Sequence, residues 1–102
     1  MPIIQASSYA ATIQPPLPAE NYSAIRVTFA QGQNLLVEKT LEDLLIENGL
    51  VVVQLSGEET LDFLPGIPAT MQIRCYHSEY DAPGSRCWLI PVLASNDTEV
   101  LP

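Results

Sequence analysis

Short stretches in which apolar and polar residues alternate constrain the fold of this chain most strongly. One such stretch covers residues 25–29 and another covers residues 71–77. Side chains along a β-strand point alternately to opposite faces, so the pattern is typical of strands that bury one face. Turn-forming residues separate these stretches at near-regular intervals, and no strand–helix–strand alternation is visible. The sequence therefore predicts an antiparallel β-fold rather than a parallel sheet.

Two turn signals predict hairpins. Residues 31–34, Gln-Gly-Gln-Asn, separate the first alternating stretch from a second predicted strand at 35–39. Asn48-Gly49 is the stronger signal, because both residues tolerate positive φ, and the β-branched run at 50–55 follows it. Folding the chain there pairs Ile46 with Val51 and Leu44 with Val53. Both faces of this hairpin are then mostly apolar, which predicts a central position in the core.

Residues 40–48 fit two interpretations. Thr40 as a cap, Asp43 in the first turn and three leucines on one face are typical of a helix start. The Asn48-Gly49 signal instead favours a turn at 40–43 followed by a strand. We favour the turn and strand, and the helix stays as the alternative.

One short helical turn is predicted after residue 55. Ser56 and Glu59 have the spacing of a capping box, and acidic residues suit the positive end of a helix dipole. Pro65-Gly66 ends the helix. Leu61 and Leu64 are then expected to cover one end of the core.

These elements predict one domain with three parts, since a 102-residue chain has the typical size of a single domain. Residues 1–23 form a Pro-rich N-terminal arm or edge strand, residues 24–93 a β-sandwich core, and residues 94–102 an acidic flexible tail. The predicted fold class is all-β: an immunoglobulin-like antiparallel β-sandwich of about six or seven strands with one short helical turn. Cys75 and Cys87 are too close in sequence for the Cys–Trp–Cys pattern of antibody domains.

The charge balance argues against two classes of partner. Twelve acidic and 4 basic residues give a formal net charge of −8. Phosphate recognition needs a basic stripe, so nucleic acid is not an expected partner. Anionic lipid is repelled and no apolar run is long enough to span a bilayer, so a membrane is not expected either. The N-terminus lacks the features of a signal peptide, which predicts a cytoplasmic location.

Cys75, His77 and Cys87 form the one constellation with chemical potential. A hairpin centred near residue 81 places the two cysteines opposite each other, with His77 on the same face. Two reduced, packed thiols are the preferred interpretation, because disulfides are rare inside cells. A cross-strand disulfide and a metal site with Glu79 as a fourth ligand remain as alternatives.

The remaining candidates predict no active site. The acidic residues at positions 42, 43, 47, 58, 59 and 62 lack the D-x-D-x-D-G spacing of a calcium loop and are interpreted as solvated turns. Trp88 is interpreted as a core residue. No catalytic, cofactor-binding or metal-binding residue is predicted, and the chain is not expected to be an enzyme.

Four segments resemble a known group of proteins: residues 27–32, 38–44, 55–61 and 71–74. In their order and spacing, including a Glu-Lys-Thr turn and a Ser-x-Glu-Glu-Thr-Leu turn, they resemble small uncharacterised proteins encoded in phages and prophages of gut Firmicutes. The resemblance implies a shared β-fold and a phage context, and it implies no active residues. The Pro-rich lead-in and the two cysteines depart from that pattern.

Two functions follow as expectations. The first is a structural or assembly module that associates with its own copies or with a protein neighbour through edge strands and the N-terminal arm. The second is a monomeric binding or adhesion module that recognises a protein or carbohydrate through its loops. Exposed Tyr22 or Tyr80 would favour the second.

Overall fold

The computed structural model describes residues 2–15, 19, 22–76 and 85–95. Within these ranges the chain forms nine β-strands, a 3-10 turn at Leu41–Asp43 and an α-helix, α1, at Gly57–Leu61. The strands are β1 (Ile3–Ile4), β2 (Tyr9–Ile13), β3 (Ala24–Gln31), β4 (Asn34–Thr40), β5 (Leu45–Glu47), β6 (Leu50–Leu55), β7 (Ala69–Tyr76), β8 (Ser85–Ile90) and β9 (Val92–Leu93). The predicted β-rich, mostly antiparallel fold is confirmed.

The strands form three sheets. Four strands pair in the order β4-β3-β7-β8 and three in the order β2-β6-β5. Every pairing in these two sheets is antiparallel. The third sheet is the short pair β1-β9, which is parallel.

The inner faces of the two larger sheets contribute to one core. Alternate residues of β3, such as Val27 and Phe29, are fully buried, and so are Val51 and Val53 of β6. The ring of Phe29 lies 6.4 Å from that of Tyr9 on the other sheet, with the two planes nearly perpendicular. Edge-to-face geometry of this kind is favourable for aromatic pairs. The period-2 pattern of the sequence therefore produces two layers with their apolar faces together.

Both predicted hairpin turns are confirmed. Gly32, in the turn between β3 and β4, has φ +60°. Asn48 and Gly49 have φ +52° and +79°, as a tight turn between β5 and β6 requires. Ile46 lies opposite Val51, as predicted. The predicted pairing of Leu44 with Val53 is not part of the ladder, because β5 begins at Leu45.

The favoured interpretation of residues 40–48, a turn followed by a strand, is confirmed. The Thr40 amide and hydroxyl both donate to the Asp43 carboxylate, at 3.1 and 3.2 Å. These two hydrogen bonds hold the pKa of Asp43 below its usual range. The predicted central position of the hairpin is wrong for β5, which is an edge strand with Leu45 48% exposed. Only β6 is central, because it pairs on both sides.

The capping box of α1 is confirmed, but its predicted packing is wrong in part. The Ser56 amide donates to the Glu59 carboxylate at 2.9 Å, and the Glu59 amide donates to the Ser56 hydroxyl at 3.2 Å. Leu64 does not cover the core, since it is 57% exposed, and Leu61 is half-buried. The fully buried residue is Phe63. The helix ends after one turn, and the chain then directs position 63 rather than position 64 inward.

Two features raise the number of strands above the predicted six or seven. Ile3–Ile4 forms a strand that was not predicted, and the segment 85–93 forms two strands, β8 and β9, instead of one. The division falls at Pro91, which has no amide hydrogen for a ladder. Its carbonyl instead accepts a hydrogen bond from the Ile3 amide at 2.9 Å. A local proline break therefore allows β9 to pair with β1.

The N-terminal segment contributes to the same core as the rest of the chain. Ile3, Tyr9, Ile13 and Tyr22 are all buried in the cluster that contains the inner faces of both larger sheets. The predicted edge strand in this segment is present as β2. Of the predicted tail at residues 94–102, only Ala94 and Ser95 lie within the described residues.

Candidate functional site

The two cysteines lie on opposite faces of the four-stranded sheet. Cys87 is opposite Gln72 in the β7–β8 ladder, whereas Cys75 lies three positions further along β7. Cys75 is buried in the core and Cys87 is exposed, and both thiols are free. The predicted cross-strand alignment is therefore wrong, and with it the disulfide. The prediction failed because it assumed a turn centred at residue 81. In the observed register, Cys87 lies on the face of the sheet opposite to that of Cys75.

The interpretation as two packed, reduced thiols is correct for Cys75 only. Burial raises the pKa of the Cys75 thiol, which disfavours the reactive thiolate. His77 and Glu79, the other residues of the predicted metal site, lie outside the described residues. Among the residues that are described, no group of three His, Cys, Asp or Glu side chains is placed to hold a metal ion.

Two of the predicted solvated acidic residues have structural contacts. Asp43 caps the 3-10 turn, and Glu59 both caps α1 and pairs with Lys39, with a shortest N–O distance of 2.8 Å. Burial by itself would raise the pKa of Glu59, but hydrogen bonds from Lys39 and from the Ser56 amide hold it below its usual range. These carboxylates stabilise local turns, and their contacts indicate no chemistry.

The β8 edge is the most apolar exposed strand edge of the four-stranded sheet. Because β8 is the last strand in the sheet order, its second side has no strand partner within the described ranges. Leu89 is 74% exposed there, and Arg86 and Cys87 are exposed beside it. Trp88 is half-buried and packs against the core, which agrees with its interpretation as a core residue.

A groove of about 430 Å³ lies between β8 and β2. We call it the β2–β8 groove. Its walls include Thr12 and Ile13 from β2, and Arg86, Trp88 and Ile90 from β8. At one end the strand β1 pairs with β9, the continuation of β8. We take the groove and the β8 edge together as the candidate site.

The sequence contains a pattern that could have predicted this exposed edge. In a strand with Trp88 facing the core, Cys87 and Leu89 must face outward. Leu89 is then an outward-facing leucine beside Cys87, on a strand that carries no acidic residue. Assigning the inward face from Trp88 would therefore have predicted an exposed apolar edge.

Comparison of the chain with protein-family models, with curated proteins and with solved structures returned no match. The helices in the described part of the chain are all too short or too polar to cross a membrane.

Proposed function

We propose that this chain is a non-enzymatic structural or assembly module that associates with a second copy of itself through the β8 edge. The observation that carries the proposal is an unpaired edge strand with a leucine exposed to 74% beside an open groove. Such an edge presents unpaired amides and carbonyls that pair readily with another strand.

We further propose that the fold is immunoglobulin-like. In that fold, strands B, E and D lie in one sheet and strands C, F and G in the other. With β2 as B, β6 as E and β5 as D, the order β2-β6-β5 agrees with this arrangement. The order β3-β7-β8 agrees with C-F-G, and β4 takes the place of the additional C′ strand. The inter-sheet disulfide of antibody domains has no equivalent, since Cys75 is free.

A second copy is the partner that the charges of β8 favour. The strand Ser85–Ile90 carries one arginine and no acidic residue, although the chain has 12 acidic residues. Antiparallel pairing of two β8 strands around a twofold axis therefore brings no carboxylates of that strand together. A twofold interface uses the same surface on both copies, so one uncovered edge is sufficient.

The phage context belongs to the same proposal and rests on the sequence resemblance. The alternative function, a monomeric module that binds through its loops, would be favoured by an exposed Tyr22 or Tyr80. Tyr22 is buried, at 8% exposure, and therefore does not support it. Tyr80 lies outside the described residues.

Sedimentation equilibrium of matched variants tests the proposal. Leu89→Lys places a charge on the β8 edge, and we expect it to weaken self-association by about tenfold or more, since an edge lysine opposes strand pairing. Leu35→Lys is the control, because Leu35 is 57% exposed on the opposite edge strand, β4. It should leave the association constant within about twofold of the wild-type value.

A wild-type chain that stays monomeric at all concentrations would contradict the proposal, and so would equal effects of the two variants. Removal of residues 1–18 is a poorer test. It deletes Ile3, Tyr9 and Ile13 from the core and would unfold the domain whatever its assembly.

A further inference from the structure

Two of the four basic residues of this acidic chain lie side by side on the outer face of the four-stranded sheet. Arg26 on β3 is directly opposite Arg74 on β7 in the antiparallel ladder. Both are exposed. Side chains in such a pair have Cβ atoms about 4.5–5.5 Å apart, so two guanidinium groups share one small area.

This arrangement opposes stability. Like charges directly opposite each other in a sheet are destabilising. Arg26 is compensated in part by Glu38, at 3.4 Å, but within the described ranges neither ion pair involves Arg74. A chain with 12 acidic residues has many carboxylates that could have lain next to Arg74. Within the described ranges, the fold therefore leaves the charge of Arg74 without an ion-pair partner.

An open cavity of about 610 Å³ lies beside the two arginines, where the ends of β3 and β7 approach the 3-10 turn. Besides Arg26 and Arg74, its walls include Thr40, Leu41, Glu42 and Tyr76. Tyr76 is 49% exposed and offers an aromatic ring at the rim. Glu42 is the one acid among the described residues of this wall, and no ion pair in the described ranges joins it to either arginine.

We propose that Arg26 and Arg74 bind the carboxylate groups of an acidic peptide segment from a partner protein in this cavity. The planar guanidinium group donates two parallel hydrogen bonds to a carboxylate, and two adjacent arginines can hold one or two such groups. Leu41 and Tyr76 provide apolar contact for the rest of the peptide.

The net charge of the chain favours a short acidic ligand over a long polyanion. At −8 the protein repels long polyanions, which excludes a nucleic acid as the favoured occupant. A peptide with a few carboxylates carries less of that repulsion and is attracted by Arg74 and by the charge of Arg26 that Glu38 leaves uncompensated. This site lies at the opposite end of β7 from the pairing of Leu89 with Thr70, so it is separate from the proposed β8 association.

Titration with an acetylated, amidated tetraglutamate peptide, followed by NMR, tests the inference. We expect saturable shifts at residues 24–26, 40–42 and 74–76, and a loss of affinity of about tenfold or more in Arg74→Gln. Arg74→Lys keeps the charge without the planar fork and should be intermediate. Arg86→Gln is the matched control: it removes the same charge from exposed β8 and should change affinity by no more than about twofold.

The stability of the variants separates binding from folding. Because Arg74→Gln removes like-charge repulsion, its urea midpoint should equal or exceed that of the wild type. Absence of saturable shifts, or equal losses in Arg74→Gln and Arg86→Gln, would overturn the inference. Equal affinity for inorganic phosphate would overturn the assignment to carboxylates.

Discussion

The two edges of the four-stranded sheet differ in how they face solvent. The β4 edge carries Glu38 and Lys39, and a register shift between Phe29 and Ala30 interrupts its ladder with β3. The β8 edge pairs with β7 without interruption and exposes Leu89. Charged residues, lysine above all, and bulges are the usual means by which proteins keep edge strands from pairing with other chains.

The two edges of the sheet therefore differ in their protection against pairing with another chain. The β4 edge has a glutamate, a lysine and a bulge, whereas the β8 edge has one arginine and an uninterrupted ladder with β7. General solubility does not explain the difference, since both edges face the same solvent. This difference between the edges is what the proposed association through β8 requires, and the following experiments test it.

Gln31→Ala should give the largest effect. The Gln31 amide donates to the carbonyls of Leu64 and Ile67 and accepts from the Leu64 amide, each at 2.8 Å. The same loop holds β9, because the Gly66 amide donates to the Val92 carbonyl. Loss of three hydrogen bonds at a buried position should cost about 3 kcal/mol of unfolding free energy. Releasing β9 should also loosen β1 and extend the open β8 side.

Urea denaturation measures this loss, and Gln33→Ala provides its control. Gln33 is exposed in the turn between β3 and β4. Its replacement should change the unfolding free energy by less than about 0.5 kcal/mol. Equal, small effects of both substitutions would show that the Gln31 hydrogen bonds do not hold the loop.

The next largest effect is expected in thiol labelling, which should modify the two cysteines at different rates. Cys87 is exposed beside the open edge, whereas Cys75 is 1% exposed and burial raises its pKa. We expect an alkylating reagent to modify Cys87 at least about tenfold faster. Mass spectrometry of the digested protein measures both rates. If Cys87 lies in the proposed interface, its rate should also fall as protein concentration rises, and a rate independent of concentration would count against that interface.

Acidification should have the smallest effect, at the protected edge. Because hydrogen bonds hold the folded-state pKa of Glu59 below its usual value, its charge stabilises the fold above that value and ceases to do so as pH falls through the folded-state pKa. Glu59→Gln should therefore be less stable than the wild type at about pH 7, and the difference should shrink toward about pH 3.

The size of this difference should stay below about 1 kcal/mol, since the Lys39–Glu59 pair is only partly buried. Urea midpoints across the pH range measure it. A difference that grows on acidification would mean that the charged form of Glu59 does not stabilise the fold.

The sequence was sufficient wherever a local signal decided the structure. Asn48-Gly49 determined a hairpin and its register, and Ser56 with Glu59 determined the start of α1. In both cases the residues that carry the signal also form the hydrogen bonds or adopt the φ angles that define the element. Alternation in β3 and β7 likewise predicted which residues are buried.

The sequence was insufficient where the structure depends on contacts between distant parts of the chain. The register of β8 against β7 places Cys87 opposite Gln72, and no feature of the intervening turn sequence predicted it. The parallel pairing of β1 with β9 joins the two ends of the described chain through only four residues. Pro91 could have indicated the break before β9, but not the partner of that strand.

The most direct test of the central claim is to cross-link cysteines placed on the two edges. Pairing of two β8 strands about a twofold axis that passes near Cys87, in the middle of the strand, brings Cys87 close to its counterpart, since residues opposite each other have Cβ atoms about 4.5–5.5 Å apart. A short bis-maleimide reagent should therefore join wild-type protein into covalent dimers. The control is the double variant Leu35→Cys, Cys87→Ser, which moves an exposed cysteine to the β4 edge.

We expect covalent dimers to form rapidly in the wild type, and slowly, at a collision-limited rate, in the control. Equal rates in the two proteins, or no covalent dimer in the wild type although Cys87 is fully labelled, would contradict association through β8.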